Sequence, residues 1–143
     1  MRKFIITFLA CLISFSVFAR DDVGDYSIKD ALAANTATER LGKDVKFYFG
    51  EQKHGNVAHT FGTYKTNKKT NAFNKSDREA CQWVFLSAML ALRDRAIKEG
   101  GNAVVNIRSF YKSKLTSSTK TFRCGVGAVV AGVALKGTVV KLK

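Results

Sequence analysis

SDREACQWVFLSAMLALRDRAIKEGGNAVVNI, residues Ser76 to Ile107, reads as a helix, a glycine pair and a strand, and the rest of the chain is organised around it. Ser76 with Glu79 three positions on forms a capping box, in which hydroxyl and carboxylate each satisfy an orphan backbone N–H. Asp77 places negative charge at the positive end of the helix dipole. Lys98 stands beside the last carbonyls, and Gly100 with Gly101 offers the left-handed conformation that ends helices. These signals predict a helix from Ser76 to Glu99.

Within it, Trp83 to Leu92 is apolar at every position except Ser87. A one-faced surface helix alternates apolar with charged residues, so two faces here need cover. The run is too short to span a bilayer. One face is therefore expected on a sheet, and the other against further chain or a second subunit, which keeps a homo-oligomer among the candidate states.

Upstream, Arg2 and Lys3 precede an apolar run from Phe4 to Phe18 that ends in Val17-Phe18-Ala19. That is the pattern of a secretory signal peptide, residues 1–19, with cleavage after Ala19. It predicts a periplasmic or secreted protein of one α+β domain, residues 20–143, with no transmembrane span in the mature chain. A retained anchor fits less well, because the run turns polar at Arg20-Asp21-Asp22 before reaching a full span. A lipoprotein signal at Cys11 fits less well too, since Phe8 stands where such signals prefer leucine and apolar residues continue past the cysteine. Two cysteines then remain, Cys81 and Cys124. In an oxidising compartment an even pair points to a disulfide; the alternative is two separately buried thiols.

The flanking segments supply strands. Ser27 caps a short helix through Ala34. Val45, Phe47 and Phe49 alternate with Lys46 and Tyr48, predicting a strand over Asp44–Phe49. Gly50–Asn56 turns it, and Ala58–Thr66 is expected to pair back as a hairpin. Lys65–Lys75 reads as a basic loop entering the helix cap. Downstream come strands over Ala103–Lys112 and Thr119–Leu135, interrupted by Gly125, Gly127 and Gly132 where bulges or close backbone approach are expected, and a last strand over Thr138–Leu142 after Gly137. The expected fold is α+β, one long helix packed on an antiparallel sheet in strand-strand-helix-strand-strand order.

Charge directs the functional reading. The chain carries 24 Lys+Arg against 11 Asp+Glu, a net +13 that becomes +11 once Arg2 and Lys3 leave with the signal peptide. From Gly100 to Lys143 there is no acid at all. Such asymmetry suits anionic envelope polymer or lipid head groups. The anion-binding candidates are Lys65, Lys68, Lys69, Lys75, Arg108 and Lys112, with Asn106 expected on the face of the last two; the plainer reading is an evenly solvated basic surface. Nucleic acid ranks lower, because stacking needs exposed aromatics, and Phe110, Tyr111 and Phe122 sit in strands where aromatics usually join the core. A phosphate-binding loop fails at Gly62–Thr70, where Asn67 and Lys68 replace the required glycine and lysine. His54 and His59, with Glu51 nearby, are weak metal candidates short of a convergent ligand set. No cofactor is expected.

The stretch GTYKTNKKTNAFNKSDREACQWVFLSAMLALRDRAIKEGGNAVVNIRSFYKS, continued by FRCGVGAVVAGVALKGTVV, closely resembles a family of small exported bacterial proteins often labelled excinuclease ATPase subunit. The label conflicts with the signal peptide and the missing phosphate loop. More distantly, the Ala/Leu helix running into GGNAVVNI, followed by a cysteine-bearing strand and a Gly/Ala-rich strand, is similar to YbjQ-type domains and to the signalling domain of the lipoprotein that reports envelope stress to the Rcs phosphorelay. These resemblances imply a non-enzymatic α+β module that assembles through sheets or helices. The resulting expectation is an exported, non-catalytic binding module, with a structural or stress-signalling protein acting through a protein partner as the alternative.

Overall fold

A computed structural model describes residues 20–143, so the expected signal peptide lies outside the described residues. The chain runs β1 (Asp22–Ser27), α1 (Ile28–Ala33), α2 (Ala37–Leu41), β2 (Lys46–Phe49), β3 (Val57–Asn71), α3 (Asp77–Glu99), β4 (Ala103–Ser109), a 3₁₀ turn (Tyr111–Ser113), β5 (Thr121–Val126) and β6 (Val130–Leu142). It is α+β, as expected, with one long helix and an antiparallel-rich sheet.

The helix keeps its predicted ends, although only the serine half of the capping box forms; the Glu79 carboxylate does not bond back to the Ser76 N–H. Ser76 Oγ accepts the Glu79 N–H at 3.1 Å, and Gly100 takes the left-handed conformation, φ 87°, that frees its N–H for the last carbonyls. Gly101 serves a different need: a Cβ there would lie 2.6 Å from Val139 Cγ1 and 2.9 Å from the Val140 carbonyl oxygen. The pair therefore ends the helix and lets the chain pass tightly against β6. Both faces of the apolar run meet the chain, although Trp83, Leu90 and Ala91 along the outer one stay only partly buried. The sheet takes one; α1 and α2 add Ile28, Ala31, Ala37 and Leu41 to the same core, with the Arg40 guanidinium 5.7 Å over the Trp83 ring.

β6 is the axis of the sheet. Along one edge it pairs with β3 from Leu142 to Val130; the other edge is divided, Ala131 and Gly132 going to β5 and Leu135 to Val140 going to β4. β1 extends the β5 side antiparallel, and β2 extends the β4 side in parallel. Residues 131, 133, 135, 137 and 139 of β6 point toward α3, and 132, 134, 136 and 138 point to the helix-free face. At Gly137 a Cβ would stand 2.6 Å from Val104 Cγ1, so this glycine lets two strands close under the helix.

Several expectations are corrected here. β2 and β3 do not form a hairpin: β2 pairs with β4 and β3 with β6, because both partners lie past the helix and their apolar faces must meet under it. Lys65–Asn71 is strand, not loop, and the true turn is Ala72–Lys75. β4 stops at Ser109, so Lys112 lies in the 3₁₀ turn, and Asn106 occupies a bulge with φ 51°. Gly137 lies inside β6 instead of dividing it, and Asp22–Ser27, where no strand was expected, is one.

Cys81 and Cys124 are joined by a disulfide, Cα–Cα 5.9 Å, tying the N-terminal part of α3 to β5 across 43 residues. On the chain-entropy model a loop of that length contributes about 4 kcal/mol. Beside it Phe85 stacks on Phe122 at 4.2 Å between ring centroids and meets Phe49 at 6.1 Å. No helix among the described residues is long and apolar enough to cross a membrane.

Candidate anion-binding face

The candidate residues that come together do so on the helix-free face of the sheet. Lys65 of β3 lies directly opposite Lys136 of β6, and Lys136 lies directly opposite Arg108 of β4. Three cations thus stand in one row across three adjacent strands, all directed away from α3. Like charges opposite one another in a sheet destabilise it. Among the described residues no carboxylate pairs with any of the three. What offsets the repulsion is the ring of Phe110, which has the Lys65 Nζ at 5.6 Å and the Lys136 Nζ at 5.2 Å from its centroid. Arg108 Nε is shielded from solvent and has no hydrogen-bond partner.

Tyr111 continues the strip toward the other end of β6. Its ring lies against Gly125 and Gly132: a Cβ on Gly125 would fall 1.9 Å from the phenolic oxygen, and one on Gly132 would lie 3.7 Å from the ring edge. The close approach expected of these glycines is to this side chain. Partial burial raises the Tyr111 phenol pKa, helped by the negative charge of Asp21. Lys69 lies beside Gly132, and with Asn67 and Tyr111 it borders a cleft of about 320 Å³.

The six predicted anion-binding residues do not act together. Lys65, Lys69 and Arg108 share the helix-free face, whereas Lys68 alternates to the other side of β3 and lines a hollow with Tyr64 and Arg95. Lys75 sits in the turn and donates to the Asn71 carbonyl at 3.0 Å. Lys112 is engaged by Asp21; that bond holds the Asp21 carboxyl below its ordinary pKa and raises Lys112. Lys136, which completes the row, was missed, although its outward parity in Gly132-Ala134-Lys136-Thr138 is readable from the alternation. Of the aromatics, Phe122 is buried, while Phe110 and Tyr111 are half-exposed on the cationic face.

The histidines do not converge. His54 packs edge-on to Tyr48 and donates from Nδ1 to the Gly55 carbonyl at 2.8 Å, whereas His59 packs edge-on to Phe61 in β3. Among the described residues no three His, Cys, Asp or Glu side chains are gathered in a way that could hold a metal ion. No family model matches the chain, and no curated protein or solved structure matches it.

Proposed function

We propose that this chain is an exported, non-catalytic binding module that holds an anionic component of the bacterial envelope on the helix-free face of its sheet. The observation that carries the reading is the row Lys65–Lys136–Arg108: three unpaired cations in register are a cost to folding that a polyanion offsets. Phe110 and Tyr111 beside the row provide flat apolar surface for a sugar ring or an acyl glycerol backbone. The N-terminal pattern and the disulfide support a periplasmic or secreted location after cleavage at Ala19. On the residues quoted above, we place the chain with the small exported proteins it resembles, and its α+β domain with YbjQ-type domains.

The experiment is an equilibrium titration with polyphosphate and with polygalacturonate at low and at moderate salt. Binding should weaken steeply with salt. The Lys65→Gln/Arg108→Gln/Lys136→Gln variant should lose affinity by about tenfold or more, as removal of three charge-assisted contacts predicts. A variant with the same charge change elsewhere, Lys43→Gln/Lys53→Gln/Lys98→Gln, should lose about threefold or less. Equal losses in the two variants would mean that net charge, and not the row, binds the polymer.

The alternative, a structural or signalling role through a protein partner, draws support from β3, whose second edge is unpaired among the described residues. An edge of this length can accept a further strand, although its lysines guard against indiscriminate pairing. Binding to a partner that persists at high salt and survives the triple variant would favour this reading.

A further inference from the structure

A second cleft, on the opposite side of the sheet from the cationic row, has a different chemistry. It is an open hollow of about 570 Å³ between α1 and β2, lined by Ile28, Leu32, Phe47 and Phe49 together with Lys29 and Lys120. Phe47 and Phe49 belong to the inward set of β2, opposite Val104 and Ile107, so the hollow opens beside the main core. Leu32 and Phe47 are only partly buried. The walls are fixed: the Ile28 N–H donates to the Lys120 carbonyl at 2.9 Å, and the Phe49 N–H donates to Gln52 Oε1 at 2.7 Å.

The polar groups around it are mostly committed. Ser27 Oγ accepts the Asp30 N–H at 3.1 Å as the cap of α1, and Asp30 itself is engaged by Arg78 at 3.0 Å. No carboxylate lines the hollow, and among the described residues neither Lys29 nor Lys120 forms an ion pair. An apolar hollow of small-molecule size whose lining includes two lysines free of ion pairs complements one shape of ligand, an apolar tail carrying an anionic head.

We propose that this cleft is a binding site for a small amphipathic anion, a carboxylate or phosphate head on a medium-length acyl tail, with the tail against Phe47, Phe49, Ile28 and Leu32 and the head between Lys29 and Lys120. The site is separate from the cationic row, and either can fail without the other.

The test is isothermal titration of the oxidised chain with decanoate, with acetate, which has the head but no tail, and with decyltrimethylammonium, which has the tail but the opposite charge. Decanoate should give saturable one-to-one binding, and the other two no saturable heat. Lys29→Gln/Lys120→Gln, both exposed and remote from the core, should weaken decanoate binding by about tenfold. Lys65→Gln/Lys136→Gln should leave it within about twofold. The proposal is overturned if decanoate gives only dilution heat, if decyltrimethylammonium binds as tightly, or if the Lys65/Lys136 variant loses as much as the Lys29/Lys120 variant, which would move decanoate to the other face.

Discussion

The two faces of β6 share a backbone and almost nothing else. Toward α3 the strand presents Ala131, Val133, Leu135, Gly137 and Val139, where Leu135 is 1 % exposed and both valines are 0 % exposed. Away from it the strand presents Gly132, Ala134, Lys136 and Thr138, with Tyr111 laid over the first and Lys65 and Arg108 flanking the third. One face removes apolar area from water, and stability follows from it. The other gathers like charges and half-exposed aromatics, which stability alone does not select. The contrast separates scaffold from candidate site on a single strand.

The inner face should break most easily. Phe85→Ala removes the ring that stacks on Phe122 and touches Phe49, and should cost about 3–5 kcal/mol by denaturant unfolding. Replacing Cys81 and Cys124 together by alanine should cost about 2–4 kcal/mol, and wild-type protein under reductant should match it.

On the outer face the effects should be smaller and differ in kind. Gly125→Ala drives a methyl into Tyr111 and should cost about 1–2 kcal/mol; in the Tyr111→Ala background most of that cost should vanish, a coupling that a double-mutant cycle reads directly. Lys136→Thr should be neutral or stabilising by about 0.5 kcal/mol, more so at low salt, because it relieves repulsion from Lys65 and Arg108. The smallest effect concerns pH. The Asp21 carboxyl is held below its ordinary pKa by Lys112, so its pair contributes stability above about pH 4 that is lost as pH falls through the folded value. Asp21→Asn should make stability slightly less dependent on pH in that acid range.

Much of the scaffold was legible because its signals are local. A serine three residues before a glutamate, an apolar run and a glycine pair fix α3 without reference to any other element, and Ser27 fixes α1 similarly. The cysteine pairing was legible from compartment and number. What was hidden is long-range. Whether β2 meets β3 or β4 depends on which apolar faces come together beneath a helix that lies between them in sequence, and the residues of Gly50–Asn56 resemble a hairpin turn whichever outcome holds. The strand character of Lys65–Asn71 was masked by its position at a sheet edge, where only Tyr64, Thr66 and Thr70 carry the inward signal and lysine is favoured outside. The site was half legible: Lys65 and Arg108 stood out by charge, but nothing local places them on either side of Lys136.

The account rests on that row being a place and not merely a charge. Backbone-amide NMR of the oxidised chain titrated with polyphosphate tests this directly. Saturable shifts centred on Lys65, Arg108, Phe110 and Lys136, with α3 unmoved, are the predicted result. Shifts spread evenly over lysines of both faces, Lys29, Lys68 and Lys98 among them, would contradict it.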